Sequence, residues 1–399
     1  MDGAPWKHWR TIFNPGFSAK HILNLLPEML EEVLIFKEII QSHAQKNNII
    51  LLGELALNMM IDVAGRIVLD HQFNSQTVYN EMTSALRSQL KWCSAGISSN
   101  VLEYLNFVRP LVHWYNSRRM NRYLSRVLHE RHKSGGECQQ TNRKSILDLA
   151  LQEDGAVDET SREVLTNNIK LFLPAGYDTT AATTVYLFYL LSLHSDVTAR
   201  LRAEHTAVFG SNTQITPSLL SSNPQLLNQL PLTLAVIKET LRLFPAASTA
   251  REGEPDFYLV TDTGRQLPTQ NCLVWVNHHG LHHNPKYWPR VEEFLPERWL
   301  VPPGHELYPT KNAWRPFERG LKNCLGQELA LTLMKLTVVL LLRDFEITNA
   351  YEEWDLLAGK TAGPQVNGDR AYQVSRGGGG GHPRDFYPCK VRLFEGLKV

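Results

Sequence analysis

The chain has 399 residues, 43% of them hydrophobic and 20% charged, which allows a sizeable core and is too apolar for a disordered protein. Its net charge of +1 leaves no bulk electrostatic footprint for nucleic acid, so no nucleic-acid partner is expected. Five scattered cysteines without a CxxC pair argue against a disulfide framework or a zinc finger. No signal peptide is visible, and no run reaches the ~18 apolar residues that span a bilayer.

At the start, WKHWR places Trp6 and Arg10 on one face of a helix. Residues 20 to 135 are predicted to be helix-rich, with apolar side chains at helical spacing in ILNLLPEMLEEVLIFKEII and LLGELALNMMIDVAGRIVL. The aromatics Trp92, Tyr104, Phe107 and Trp114 accumulate between Leu90 and Tyr115, a stripe read as core. Residues 133 to 144, KSGGECQQTNRK, are expected to form a polar loop.

The stretch LTNNIKLFLPAGYDTTAATTVYLFYLLSLH, residues 165 to 194, is apolar on nearly every face and predicts a buried central helix. Inside such a helix Pro174 costs about 3 kcal/mol and Gly176 about 1 kcal/mol. A buried Asp178 beside Thr179 adds a desolvation cost. So many unfavourable residues between Pro174 and Thr179 point to function. HSDVTARLRAEHTAVFG continues as an amphipathic helix capped at Gly210.

LTLAVIKETLRLFP then sets Glu239 and Arg242 on one face of a helix that Pro245 stops. Residues 249 to 280 alternate as strands do, notably in NCLVWVN. NHHGLHHNP offers His278, His279, His282 and His283, in which a pair four apart has a spacing that suits zinc, though no local carboxylate or cysteine completes a site.

In FERGLKNCLGQELALTL, residues 317 to 333, Gly320 permits a tight turn and the run from Gln327 to Leu342 reads as a helix. Cys324 therefore lies at a helix N-terminus with Lys322 nearby, two features that favour a thiolate and hence a metal ligand. Cys93, Cys138, Cys272 and Cys389 are read as inert. DFEIT is predicted as a strand and AYQVSRGGGGGHPRDFYPCKVRLFE as a closing β-hairpin, flexible at its tip, Gly377 to Gly381. Those glycines do not form GxGxxG, so no dinucleotide fold is implied.

Phe317, Gly320, Lys322, Cys324 and Gly326 resemble the haem-binding loop of the cytochrome P-450 family, F-x-x-G-x-[RK]-x-C-x-G. WKHWR, AGYDTT, ETLR and PERW resemble four further motifs of that family and occur in its order. The resemblance implies a mainly α fold with a small β region, a single haem-binding domain over residues 1–399 with the N-terminal part of the family fold missing. Cys324 would be the iron ligand of haem b, a thiolate that favours O–O cleavage. Trp6, Arg10, Lys322 and Arg251 would meet the haem propionates, and Phe317 and Gly176 would line the cofactor site. Asp178 and Thr179 would relay protons to dioxygen, Asp178 drawing them from bulk water as a general acid. Glu239, Arg242 and Arg298 would form a buried structural triad.

The implied reaction is monooxygenation of an apolar small-molecule substrate, with electrons from NADPH through a separate NADPH-cytochrome P-450 reductase. Lys311, Arg315, Arg319 and Lys322 would suit an acidic face on that reductase. The style of PERWL and HPRDFYPC resembles fungal members, many of which act in secondary metabolism. Family members are anchored in the endoplasmic reticulum membrane, whereas this sequence implies a cytoplasmic or peripheral protein. Two other readings stand beside this one: a remnant of the family unable to retain haem, and a zinc protein centred on residues 278 to 283.

Overall fold

The computed structural model describes residues 3–93, 106–133, 144–153, 159–360, 363–366, 368–375 and 379–395. Its first half is helical: α1 (Gly3–Phe13), α2 (Ala19–Asn24), α3 (Leu26–Lys46), the two-residue strand β1 (Ile50–Leu51), α4 (Leu52–Leu69), α5 (Glu81–Trp92), α6 (Val108–Lys133) and α7 (Ile146–Glu153). The long helix α8 (Glu159–Leu193) is followed by α9 (Ser195–Phe209), α10 (Thr216–Ser222) and α11 (Pro231–Leu243). Four short strands come next, β2 (Thr249–Glu252), β3 (Tyr258–Val260), β4 (Gln266–Pro268) and β5 (Leu273–Val276), then α12 (His278–His282). The chain ends with α13 (Gln327–Leu342), β6 (Phe345–Asn349), α14 (Tyr351–Leu357), β7 (Gln373–Ser375), β8 (Gly381–Pro383) and β9 (Pro388–Leu393).

Helix boundaries follow local chemistry. Pro27 sits in the first turn of α3, where its missing N–H costs nothing, and Asn47 ends that helix in the left-handed region at φ 47°. The Asn80 side chain caps α5 by accepting from the Thr83 amide at 3.1 Å. Among the described residues no helix is long and apolar enough to cross a membrane.

Helix α8 is the axis of the core. It packs most extensively on α4, and its stretch from Ala181 to Leu191 is almost wholly buried. It runs unbroken through Pro174 and Gly176 because burial of the flanking residues outweighs their helix penalties. The expected closing hairpin is divided. β7 pairs with β8, whereas β9 joins β6 and β1 in an antiparallel sheet, with Cys389 facing both Ile50 and Asn349. The aromatic stripe is not core: Phe107 is 82% and Trp114 60% exposed, with Arg118 lying 5.2 Å from the Trp114 ring. Tyr104, Cys138 and most of the expected polar loop lie outside the described residues.

A buried charge cluster ties α11 to the loop before α13. Glu239 accepts from Arg242 (2.8 and 3.1 Å), from Arg298 Nε (3.0 Å), from Trp299 Nε1 (3.0 Å) and from the Leu295 amide (3.1 Å). The two guanidiniums spend their other N–H groups on the carbonyls of His282, Val291, Glu293, Pro289 and Arg290. The expected triad is therefore one satisfied network, with Trp288 beside both arginines.

A second buried acid, Glu32, makes stability depend on pH. Burial, then the charge of Asp62, push Glu32 up to about 7, against the opposing pull of Arg66 and a hydrogen bond from Gln76. The folded protein thus holds a proton that the unfolded chain has released above about pH 4.5. This contribution to stability is complete below that pH and disappears as pH rises through 7. Glu32→Gln keeps an acceptor for Gln76 and is expected to raise the melting temperature at pH 8 by about 2–4 °C, with no gain at pH 4.5, in thermal scans across that range.

Candidate active site

The loop before α13 is shaped by its own backbone. Gly320 adopts φ 87°, its carbonyl accepts from the Asn323 amide at 3.1 Å, and the Cys324 amide donates to the Phe317 carbonyl at 2.7 Å. Helix α1 braces this turn from outside. Arg10 donates to the Asn323 carbonyl and to its Oδ1, both at 2.9 Å, and the Lys322 ammonium lies 5.4 Å from the Trp6 ring. Phe317 packs against Trp314, with ring centroids 6.0 Å apart.

Cys324 is solvent-accessible, yet enough protein surrounds it for burial to raise its thiol's pKa, so it lies in a recess rather than on a convex surface. A hydrogen bond from the Gly326 N–H and the positive charge of Arg10 pull the other way. The expected helix-end effect is present, but the cation acting on the sulfur is Arg10 instead of Lys322, and burial outweighs both. A bound metal cation would reverse that balance by taking the proton's place.

Glu318, at a free position of the loop pattern, has partners of its own. It holds a left-handed φ of 57°, accepts from Arg315 Nε at 2.7 Å and the Arg319 amide at 3.0 Å, and faces His278 Nε2 at 3.2 Å. Burial would raise its pKa, but the hydrogen bonds from Arg315, His278 and the Arg319 amide keep it low. His278 also faces the Ala247 carbonyl at 2.9 Å, while His282 Nε2 accepts from the Arg315 amide at 3.0 Å. Burial, then the charges of His278 and Arg242, depress His282 to about 3. These histidines brace the cysteine loop, and His279 stacks on His283 at 4.0 Å. Among the described residues no group of three or more His, Cys, Asp or Glu could hold a metal ion.

On α8 the hydroxyls bond back to the helix: Thr179 to Ala175 O at 2.9 Å, Thr183 to Thr179 O at 2.9 Å. Asp178 is 8% exposed and turned toward the β7–β8 connection. Its Oδ1 lies 2.9 Å from His382 Nε2, and its Oδ2 accepts from the Gly380 amide. A Cβ added at Gly379 would stand 2.9 Å from Asp178 Oδ2, and one at Gly380 3.0 Å from Ala246 O. At the described tip residues, Gly379 to Gly381, glycine thus serves close packing rather than the flexibility expected, whereas Gly377 and Gly378 lie outside the described residues.

Gly176 and Gly326 present the opposite case. A Cβ at either would meet nothing within 4 Å, and Gly326 has φ −85°, which any residue adopts. Neither crowding by this chain nor backbone conformation calls for glycine there, and open space beside both suits a flat cofactor. Together with an accessible sulfur at a helix N-terminus, these residues fit a haem.

The structure therefore gathers Trp6, Arg10, Phe317, Lys322 and Cys324 around one loop, and Gly176, Asp178 and Thr179 on one turn of α8. Arg251 is exposed on β2 and donates to the Ala250 carbonyl at 2.8 Å. Sequence reasoning assigned no role to Asn323, Glu318 or His382, and it weighed His278 as a zinc ligand rather than as a partner of the cysteine loop. One signal was present in the histidine that ends the glycine run.

A family model for cytochrome P450 matches residues 1–361. The chain is 51% identical over 404 residues to cytochrome P450 monooxygenase polC of Polytolypa hystricis, covering 98% of this chain and 72% of that protein. It is 30% identical to cytochrome P450 monooxygenase acrF of Aspergillus aculeatus, covering 93% of this chain and 79% of that one. The fold resembles the crystal structure of a cytochrome P450, CYP102L1, with a TM-score of 0.76 at 20% identity over 98% of this chain and 80% of the other. The chain thus belongs to the cytochrome P450 family and is an oxidoreductase of its monooxygenase class.

Proposed function

We propose that this chain, as a single domain, holds haem b through Cys324 and oxidises an apolar small molecule with dioxygen, in fungal secondary metabolism. The observation that carries this reading is the accessible sulfur of Cys324 on a loop braced by Arg10, with nothing of the chain within 4 Å of where a Cβ would stand at Gly176 and Gly326. Thiolate-ligated haem, when bound, supplies reductive activation of dioxygen and insertion of one oxygen atom into the substrate.

The chain's own residues supply the surroundings. Arg10 has spent two N–H groups on Asn323 and keeps three for a haem propionate, with Trp6 and Lys322 beside it and Arg251 as a further positive charge. Phe317 lines the cysteine side. On α8 Gly176 leaves room, Thr179 presents its hydroxyl, and Asp178 passes on protons that the reaction consumes. Electrons come from NADPH through a separate reductase whose acidic face would meet Lys311, Arg319 and Lys322. Arg315 contributes less there because Glu318 already pairs with it.

The test is haem titration of the purified chain, followed by the carbon monoxide difference spectrum of the reduced protein. One haem per chain, with the spectrum for which the family is named, is expected. A chain that folds but takes up no haem would overturn the reading.

A further inference from the structure

Gly379 and Gly380, just before β8, lie against the AGYDTT turn of α8. The Gly381 amide donates to Ala246 O at 2.9 Å, and Gln373 Nε2 donates to Pro245 O at 3.1 Å, so both strands of the hairpin are tied to the segment after α11. A Cβ at Gly380 would stand 3.2 Å from Asp178 Oδ2 and 3.7 Å from Thr179 Cγ2. Glycine thus lets the hairpin backbone rest on the two residues assigned to proton transfer.

Both carboxylate oxygens of Asp178 are occupied by this hairpin, Oδ2 by the Gly380 amide and Oδ1 by His382. Of these two partners an amide cannot give up its proton, and an imidazole can. Asp178 and His382 are 8% and 4% exposed, so bulk water has little direct access to either group. His382 Nδ1 is buried without a hydrogen-bond partner among the described residues, while the ring edge meets Phe386 at 5.7 Å between centroids.

We propose that His382 is the positioning residue of the distal acid: with the Gly380 amide it fixes the Asp178 carboxyl, and its imidazole is the group through which that carboxyl exchanges its proton. An imidazolium gives its Nε2 proton to Asp178 Oδ1, leaving a neutral ring and a carboxylic acid. The ring left behind carries its proton on Nδ1; once Asp178 has passed its own proton on, Nε2 takes up a proton from solvent and the imidazolium–carboxylate pair is restored. The acid is then fed from the hairpin side of α8 rather than along the helix from bulk solvent. The inference rests on the reading of Asp178 as the distal acid.

Three variants of the haem-loaded protein separate the possibilities. Hydrogen exchange of peptides covering residues 379–389 reports the hairpin, and product formed per NADPH, with ethoxycoumarin as an apolar probe and a reductase supplied, reports proton delivery. His382→Gln keeps an N–H donor for Asp178 but cannot exchange a proton. It is expected to retain the hairpin's protection and to lose about 10-fold in product per NADPH, within the range seen when an outer-shell partner is removed. His382→Phe is expected to lose both. Asp178→Asn should lose coupling whatever His382 does, and if it couples like the wild type, the reading of Asp178 itself fails. Wild-type coupling in His382→Gln, with Asp178→Asn impaired, would overturn the proton exchange alone. Unchanged hydrogen exchange in His382→Phe would overturn the positioning.

Discussion

Glu239→Ala is expected to destabilise the fold by about 3–5 kcal/mol, the cost of leaving buried charges without a partner. Two guanidiniums converge on this one carboxylate, and the side chains of Glu239, Arg242 and Arg298 are all 0% exposed. Removing it strands both cations and also orphans Trp299 Nε1 and the Leu295 amide. Against a typical domain stability of about 5–15 kcal/mol, the loss is a large share. A guanidinium chloride titration checks it through the unfolding midpoint. Glu239→Gln retains acceptors but not the charge, and it should fall between the wild type and Glu239→Ala. Near-wild-type midpoints for both variants would show that the arginines are held by their carbonyl partners alone.

Cys324→Ser should leave the fold intact and abolish the family's carbon monoxide signature, with monooxygenase activity falling more than ~100-fold. The magnitude follows because loss of an outer-shell partner alone costs about 10–100-fold, and this change removes the proposed ligand itself. Intact folding is expected because the loop is held by the Cys324 amide, Gly320 and Asn323, none of which needs sulfur. The readouts are haem content, the reduced carbon monoxide spectrum and the melting temperature. An unchanged spectrum would assign the ligand elsewhere, and a collapsed melting temperature would make the cysteine structural.

Much of this was legible in the sequence because it is periodic or local. The helix after the cysteine runs from Gln327 to Leu342, as its apolar spacing predicts, and Pro245 and Gly210 end their helices as proline and glycine should. The three-residue spacing of Glu239 and Arg242 was readable, but the donation of Arg242 to carbonyls about 50 residues away was not. The failures share a cause. Whether glycine serves flexibility, open space or close approach depends on what lies across from it, which composition does not encode. Gly326, Gly320 and Gly380 differ in this respect although each is simply glycine in the sequence. Phe107 and Trp114 were misread in the same way, since a helix's neighbours and not its aromatics decide what becomes core.

The bond from Arg10 to Asn323 joins residues 313 positions apart. During synthesis α1 emerges long before its loop partner, so the cysteine loop is unbraced until the residues between them have been made. An isolated 11-residue helix is marginal in water, below the ~12–15 residues at which helices begin to persist. Contacts of such long separation form slowly, after the local ones that bring their ends together. Closure of the cysteine loop is therefore a late event in folding, and a partly folded chain offers Cys324 without the cation that favours its thiolate.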